Sequence, residues 1–179
     1  MIPTIISYST TISACDKGGQ WQHALLLLSK LWQQALERDL ISYSVGISAC
    51  EKGGRWQQAM MLLCELGAAK METDVISYNA AISACEKGGQ WQQALLLLRE
   101  VRTANMELDA VTYSAGISAC EKSRQWQQAL ALLSEMSDVR VEGNVVSHSA
   151  AVSACEKGGQ WQHALSLLFE MIIRKGFAP

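Results

Sequence analysis

The sequence predicts an all-α protein, an α-solenoid built from five helix-turn-helix repeats of 35 residues. The first observation is a column of tryptophans that recur every 35 residues: Trp21, Trp56, Trp91, Trp126 and Trp161. The second is a column of cysteines with the same spacing: Cys15, Cys50, Cys85, Cys120 and Cys155. The third is the string Ser-Ala-Cys-(Asp/Glu)-Lys, which occurs once in each period. Five copies in one register, without an insertion, exclude a chance pattern.

This register divides the chain into a short lead-in and five consecutive repeats that form one continuous repeat domain. The lead-in is 1–4, and the repeats are 5–39, 40–74, 75–109, 110–144 and 145–179. Because the repeats begin almost at once, we interpret the chain as a fragment or a processed form. Apolar surface at the last helix, 164–173, predicts either further repeats or a protein partner at the ends.

The third repeat shows why each repeat is predicted to fold as two helices. One face of a first helix is apolar at about 100° per residue: Tyr78, Ala81, Ile82 and Cys85. Gly88-Gly89 ends this helix, since glycine takes the left-handed conformation that a C-terminal cap needs. A second helix has apolar residues at spacings of three and four: Trp91, Ala94, Leu95, Leu98 and Val101. Two short helices cannot bury these stripes alone, so we expect stacking on neighbouring repeats to complete the core.

The composition excludes several classes of protein. Hydrophobic residues make up 49% of the chain, too many for a disordered tail. No apolar run approaches the roughly 18 residues of a membrane span, and the start does not have the pattern of a signal or transit peptide. The net charge of −2 is unusual for a chain that wraps nucleic acid, which is commonly basic.

The repeat resembles the pentatricopeptide repeat family over residues 5–179. The matching elements are the opening Val75-Ile76-Ser77-Tyr78-Asn79, the mid-repeat glycine, the Ala94-Leu95 pair and the closing Asp109. The family's closing Pro-Asp is absent from the first four repeats, and the fifth ends in Ala178-Pro179, truncated just before the acidic position. The resemblance implies a right-handed superhelix that binds single-stranded RNA, one base per repeat, with the N-terminus towards the RNA 5′ end.

By this resemblance, two residues in each repeat choose the base, namely the one after the tyrosine and the last one. The pairs are Ser9 with Asp39, Ser44 with Asp74, Asn79 with Asp109, and Ser114 with Asn144, while Ser149 of the fifth repeat has no clear partner. The resemblance also implies that an aliphatic residue at the helix start sandwiches neighbouring bases: Ile6, Ile41, Ile76, Val111 and Val146.

The chemistry of these pairs predicts a base preference. A carboxylate only accepts hydrogen bonds, so a Ser/Asp pair suits guanine, whose Watson–Crick edge offers N–H donors. Asn in place of Asp supplies a donor and suits adenine, and Asn with Asp corresponds in the family to uracil. We therefore expect 5′-GGUA-3′ followed by one unassigned base. The alternative interpretation of the Ser/Asn column is an ordinary solvated helix face.

A lysine recurs near the end of each first helix: Lys17, Lys52, Lys87, Lys122 and Lys157. The resemblance implies contact with the phosphate backbone, and one lysine per repeat matches one phosphate per base. The residue before each lysine is acidic and largely cancels its field: Asp16, Glu51, Glu86, Glu121 and Glu156. A surface ladder in which each lysine pairs with the acid of a neighbouring repeat is an equally favoured alternative.

Three other columns are predicted to be structural. The cysteines lie on the apolar face and lack a Cys-x-x-Cys motif, which favours buried thiols over a zinc site. The tryptophans head the apolar stripe of the second helix, which favours the core over a base-stacking surface. A small residue in each second helix allows close approach of the paired helices: Ala24, Ala59, Ala94, Ala129 and Ala164.

These observations favour a sequence-selective RNA binder and no enzyme. No histidine is followed two residues later by glutamate, as a zinc deaminase requires, and no cofactor, metal or small-molecule substrate is expected. The resemblance implies a place in a mitochondrion or chloroplast, in RNA processing, stability, editing or translation. The alternative is a protein-interaction scaffold that binds an extended peptide or a subunit of a larger complex, which the acidic balance favours.

Overall fold

The computed structural model describes residues 5–33, 40–69, 74–141 and 143–174, which form helices and no strand. The all-α helical repeat fold is therefore confirmed within these ranges. The helices are α1 (Ile5–Lys17), α2 (Trp21–Gln33), α3 (Leu40–Lys52), α4 (Trp56–Ala68), α5 (Val75–Lys87), α6 (Trp91–Thr103), α7 (Ala110–Lys122), α8 (Trp126–Asp138), α9 (Val145–Lys157) and α10 (Trp161–Arg174). The lead-in, 1–4, lies outside the described residues. In the described part of the chain, each helix is too short or too polar to span a bilayer.

The helices form two compact units, residues 1–88 with α1 to α5 and residues 89–179 with α6 to α10. In the first unit, α3 packs against α1, α2, α4 and α5. In the second unit, α7 packs against α6, α8 and α9. A first helix thus contacts its own second helix and also the helices of a neighbouring repeat. Stacking of repeats completes the core within each unit, as the sequence predicts.

Burial of the first helices extends beyond the single apolar face that periodicity predicts. In α5, the predicted core residues Ala81, Ile82 and Cys85 are fully buried. Ser77 and Ala84, on another side of the helix, are also fully buried. A helix with neighbours on several sides must present small side chains to some of them, because interhelical distances of about 8–10 Å leave no room for larger ones.

The second helices bury their alanine column as predicted, but their tryptophans lie outside the core. Four of the alanines are fully buried, and Ala164 in α10 is half-buried. The tryptophans Trp21, Trp56, Trp91 and Trp126 are half-buried, and Trp161 is 64% exposed. The prediction of a core position for this column is therefore wrong.

Within each unit, the tryptophan ring of one repeat lies over a glycine at the end of the next repeat's first helix. A Cβ at Gly53 would lie 2.7 Å from Trp21 Cδ2. A Cβ at Gly88 would overlap Trp56, and a Cβ at Gly158 would overlap Trp126. The indole therefore covers a place where only a hydrogen fits. This is a contact between repeats, not within one.

The glycine pair ends the first helix, as predicted, and its two members adopt different backbone conformations. Gly88 caps α5 in the right-handed conformation, with φ of −81°. The following Gly89 has φ of +68°, the left-handed region that glycine enters without strain. In the fourth repeat the same place is taken by Arg124, which adopts φ of +57°.

The tyrosine column joins the two helices of a repeat through a glutamate. Tyr113 is 1% exposed, and its hydroxyl donates to Glu135 Oε1 at 2.9 Å. Burial raises the pKa of Tyr113 to about 12, and the hydrogen bond to Glu135 adds to this effect. Arg102 Nη1 lies 2.8 Å from the other carboxylate oxygen, so the Glu135 charge is balanced. In the first unit, the Tyr43 hydroxyl contacts Glu65 Oε2 at 3.3 Å.

The cysteines of the column are free thiols, and four of the five are fully buried. Cys15 in α1 is half-buried. Burial raises the pKa of Cys50 and Cys120 to about 12 and that of Cys85 to about 11. These thiols therefore stay protonated at neutral pH. The prediction of a small buried residue is confirmed for the four buried positions.

The Trp56–Gly88 contact predicts a large effect of one added methyl group. Gly88→Ala introduces a Cβ into the indole, so we expect it to lower the free energy of unfolding by about 1 to 3 kcal/mol. Urea unfolding monitored by circular dichroism measures this change.

Gly18→Ala is the matched control for this measurement. A Cβ at either glycine would lie 3.3 Å from the carbonyl of the residue four positions earlier, but Gly18 has no tryptophan over it. At a concentration at which the chain is a monomer, we expect this variant to be neutral or to raise stability by about 0.4 to 1 kcal/mol, because alanine restricts the unfolded chain. Equal effects of the two substitutions would show that the indole contact does not stabilise the stack.

Candidate nucleic-acid interface

One side of each first helix carries an aliphatic side chain that the fold leaves in solvent. These residues are 59–73% exposed, although neighbouring positions of the same helices are buried: Ile6, Ile41, Ile76, Val111 and Val146. A single exposed aliphatic residue is ordinary in a protein surface, but one at the same place in every repeat is not. These are the five residues predicted to sandwich bases.

Three positions later, the predicted base-reading residues lie partly within the structure. Ser9, Ser44 and Asn79 are half-buried, Ser114 is 6% exposed, and Ser149 is exposed. Ser44 Oγ donates to the carbonyl of Leu40 at 2.9 Å. Ser114 Oγ donates to the carbonyl of Ala110 at 2.6 Å. A serine hydroxyl has one proton, so these bonds leave the oxygen lone pairs as its remaining hydrogen-bonding capacity.

The last residue of a repeat caps the first helix of the next repeat. Asp74 Oδ1 accepts from the Ser77 backbone N–H at 2.9 Å, and Asn144 Oδ1 accepts from the Ser147 N–H at 2.8 Å. Asp109 Oδ1 accepts from both the backbone N–H and the hydroxyl of Thr112, at 2.8 and 2.6 Å. Asp39 lies outside the described residues. The sequence interpretation of this column, as half of a base-reading pair, did not include its role as an N-cap.

Capping occupies one polar atom of each side chain and leaves the other available. The second carboxylate oxygen of Asp74 and of Asp109 has no hydrogen bond among the described residues. In Asn144 the atom left over is Nδ2, a donor. The side chain at the last position of a repeat therefore offers an acceptor in the second and third repeats and a donor in the fourth.

In the fourth repeat the structure brings both members of a predicted pair together. Ser114 Oγ lies 3.2 Å from Asn144 Oδ1. In the second repeat, no direct hydrogen bond joins Ser44 to Asp74, but Ser77 connects them. The Ser77 backbone N–H donates to Asp74 Oδ1, and the Ser77 hydroxyl lies 2.9 Å from Ser44 Oγ. Ser44 Oγ also donates to the Leu40 carbonyl, an arrangement in which Ser77 supplies the proton of the Ser44–Ser77 contact.

Sequence reasoning missed the third position of the repeat, to which Ser77 belongs. Its members in the other described first helices are also hydroxyl residues, and those in α3, α7 and α9 are at most 1% exposed: Ser42, Thr112 and Ser147. Every repeat has serine or threonine at this position, and this recurrence could have indicated a buried hydroxyl residue. Helical periodicity did not predict its burial, because the position lies off the predicted apolar face.

The lysine column forms ion pairs with the acid of the preceding repeat. Lys87 Nζ lies 2.9 Å from Glu51 Oε1 in the first unit, and Lys157 Nζ lies 2.7 Å from Glu121 Oε1 in the second. These pairs are the ladder that the sequence offered as an alternative to phosphate contact. Both lysine side chains remain about 40% exposed, so an ion pair of this kind contributes at most about 1 kcal/mol.

Several groups act on the Glu121 carboxyl. Burial raises its pKa, but hydrogen bonds from Lys157 and Ser153 and the charges of Lys157 and Lys122 outweigh that effect. The pKa of Glu121 therefore lies below its ordinary value. The carboxylate stays charged at neutral pH and holds Lys157 in place.

Comparison with known families identifies the repeat. A model described as the PPR repeat matches residues 41–69, 111–141 and 146–175, which is half of the chain. A second model, the PPR repeat family, matches residues 73–122. The chain belongs to the PPR repeat family. No curated protein matches it in sequence.

Solved structures of PPR proteins have the same fold. The pentatricopeptide repeat protein PPR10 from maize is 25% identical, with a TM-score of 0.72, and the match covers 100% of this chain and 26% of PPR10. PPR10 in complex with an 18-nt psaJ RNA element is similar at 23% identity and the same TM-score, covering 97% of this chain and 29% of that one. This PPR chain thus spans little more than a quarter of the length of PPR10.

Two further relatives in structure come from protein-only RNase P enzymes of Arabidopsis thaliana. The PPR domain of RNase P 1, in complex with tRNA, matches with a TM-score of 0.78 at 10% identity and covers 91% of this chain and 86% of that domain. Nuclear RNase P 2 matches with a TM-score of 0.82 at 10% identity, covering 93% of this chain and 38% of that one. Such low identities show the PPR fold alone. Among the described residues, no three His, Cys, Asp or Glu side chains cluster to hold a metal.

The capping role predicts different effects of two substitutions at Asp74. Asp74→Ala removes the acceptor for the Ser77 N–H and should lower the free energy of unfolding by about 1 kcal/mol. Asp74→Asn should leave stability nearly unchanged, because Asn144 caps α9 in the same way. Urea unfolding of the two variants measures both effects. An equal loss in Asp74→Asn would contradict the equivalence of the two caps.

Proposed function

We propose that this PPR chain binds single-stranded RNA, one base per repeat, with its N-terminus towards the RNA 5′ end. Support comes from membership in the PPR repeat family and from one recurring arrangement. An exposed aliphatic side chain lies three positions before the residue proposed to read a base, and that residue is half-buried in the first three repeats, as Ser9, Ser44 and Asn79. The first helix of the next repeat is capped by an Asp or Asn whose second polar atom has no hydrogen bond within the described part of the chain. The exposed aliphatic side chain carries the proposal, since burial of the core does not require one at the same place in every repeat.

The second repeat offers two acceptors to a base. The unused carboxylate oxygen of Asp74 accepts only, and Ser44 has given its proton to Leu40. Guanine presents two donors, N1–H and N2–H, on its Watson–Crick edge. We therefore assign guanine to this repeat and, by the same residue types, to the first repeat with Ser9 and Asp39.

The predicted pair of the fourth repeat differs from that of the second in one side-chain atom, because Asn144 replaces an aspartate. Asn144 presents Nδ2 as a donor where Asp74 presents an oxygen, which suits the N1 acceptor of adenine. The third repeat combines Asn79 with Asp109, a pair that corresponds to uracil in the family. The proposed site is 5′-GGUA-3′ followed by one base at the repeat of Ser149, with neighbouring bases held between the five exposed aliphatic residues.

The biological setting that we propose follows from the family. The chain acts by binding, without catalysis of its own, in RNA processing, stability, editing or translation in a mitochondrion or chloroplast. The lysines Lys17, Lys52, Lys87, Lys122 and Lys157 contact the phosphates. Where a lysine is held by an acid of the preceding repeat, as Lys157 is by Glu121, a phosphate replaces that carboxylate or shares the lysine with it.

A binding assay with synthetic RNA tests the base assignment. Fluorescence anisotropy compares 5′-GGUA-3′ with 5′-GAUA-3′ and with a scrambled order, each within the same unstructured oligonucleotide. The original chain should favour 5′-GGUA-3′ by about tenfold, since one well-formed pair of hydrogen bonds discriminates by roughly 1–3 kcal/mol. Equal affinity for the three sequences would refute the assignment.

Exchange of Asp and Asn at the last position of a repeat should change which base that repeat prefers. Asp74→Asn changes the second repeat from an acceptor to a donor, so the variant should favour 5′-GAUA-3′ by about tenfold. Asn144→Asp should change the last assigned base from adenine to guanine. Both variants use residues with which this chain already caps its helices, so the fold is retained. An unchanged order of affinities in both variants would contradict base reading by this position.

The salt dependence of RNA binding tests the lysine role. Glu121→Gln removes the partner charge of Lys157, so RNA should bind more tightly. The slope of log affinity against log salt should steepen by about 0.7 for one added phosphate contact. Glu107→Gln, which removes an equal charge from an exposed side chain, is the control and should leave the slope unchanged. Identical slopes in the two variants would exclude phosphate contact by Lys157.

A random single-stranded RNA pool distinguishes this function from a protein scaffold. Selection against the intact chain should enrich the proposed motif. A pool that shows no enrichment, together with no retention of RNA in low salt, would favour the scaffold.

A further inference from the structure

The outer face of α10 is apolar and exposed. Leu168 is 48% exposed and Leu165 is 45% exposed, and Trp161 at the start of the helix is 64% exposed. The equivalent of Leu168 in α8, Leu133, is only 6% exposed. Trp161, Leu165 and Leu168 line one shallow groove with Val152, Ala164 and Glu156. The difference between α8 and α10 is that α9 covers the former.

The outer face of α1 is exposed in a complementary way. Ser7, Thr11 and Ala14 are exposed, and Gly18 has only its own helix within 4 Å of a Cβ position. The equivalent residues of α3 are buried: Ser42, Gly46 and Ala49. In the first unit α3 packs against α1 and α2 of the preceding repeat, and a Cβ at Gly46 would lie 2.6 Å from Leu28 Cδ2 of α2. The face of α1 thus has the small side chains of a repeat junction, and no helix of the described residues covers them.

The contacts that join repeats within each unit show what fits these faces. A tryptophan covers the glycine of the following repeat three times: Trp21 over Gly53, Trp56 over Gly88 and Trp126 over Gly158. Trp161 is a tryptophan with no such glycine among the described residues, and Gly18 is a glycine with no such tryptophan.

The charges at the two faces also match. In the junctions, the lysine of one repeat pairs with the acid of the preceding repeat, as Lys87 does with Glu51. Glu156, at the end of α9, is exposed and has no ion pair among the described residues. Lys17, at the end of α1, is also exposed and has none. The acid and the lysine of such a junction are therefore present in the last and the first repeat of the same chain.

We propose that the exposed face of α10 binds the exposed face of α1 on a second copy of this chain. Trp161 covers Gly18 of the second copy, Glu156 pairs with its Lys17, and Leu165 and Leu168 pack on its Ser7, Thr11 and Ala14. The interface is heterologous, so each chain keeps one free face and can bind a further copy. The interface repeats a junction that the chain already forms internally, and it does not need RNA to form.

Variants with one altered face test this arrangement in the intact chain. Leu168→Glu places a charge on the α10 face, and Ala14→Glu places one on the α1 face; both residues are exposed, so the fold is retained. Sedimentation velocity without RNA, over a range of concentrations, should show the original chain as dimers and larger species. Each variant alone should remain a monomer. Leu96→Glu, at a residue 49% exposed on α6, is the control and should associate like the original chain.

An equimolar mixture of the two variants gives the decisive result. Each variant keeps one intact face, so the mixture should form a species of twice the mass of one chain and nothing larger. Dimers of Ala14→Glu alone would indicate that two α10 faces bind each other, which overturns the proposal. A monomeric original chain at all concentrations overturns it as well. Circular dichroism confirms that each variant is folded.

Discussion

The structure depends on the burial of each first helix between its neighbours. A helix such as α3, with four helices packed against it, can be formed only by a sequence that places small side chains on several sides. Gly46 and Ala49 satisfy this requirement and are buried. One repeat alone cannot supply these neighbours, so the stability of a repeat is a property of its junctions. Because the other sides of each first helix are packed against neighbouring helices, the side that carries the aliphatic residue is the one left in solvent.

The ion pairs between repeats explain how a chain with a net charge of −2 can still place a lysine at the same position of every repeat. A pair such as Lys157 with Glu121 holds a cation at a fixed place but cancels most of its field at a distance. A surface of this kind attracts polyanions weakly from afar and orders them only on contact. In the RNA complex proposed above, most of the binding free energy comes from the bases rather than from the phosphates, in contrast to strongly basic nucleic-acid binders.

The sequence was sufficient to predict the fold because period and helical pattern agree in every repeat. Burial of the cysteines also followed from their place on the apolar face. The tryptophans were assigned wrongly, since helical periodicity shows which face is apolar but not that a ring at the helix start reaches a neighbouring glycine. The N-caps at Asp74 and Asn144 and the buried Ser77 were missed for a related reason. Each depends on how two repeats meet, which a single repeat sequence does not describe.

The N-cap at the repeat junction limits how such a protein can diversify. A residue at the place of Asp109 must accept a hydrogen bond from the helix that follows, and only Asp, Asn, Ser and Thr do so well. Substitution by most other residues weakens the junction by about 1 kcal/mol, whatever it does for recognition. The set of usable side chains is therefore fixed by helix formation before any ligand is involved. If this position also reads a base, as proposed, Asp, Asn, Ser and Thr are the residues that can change the base without weakening the junction.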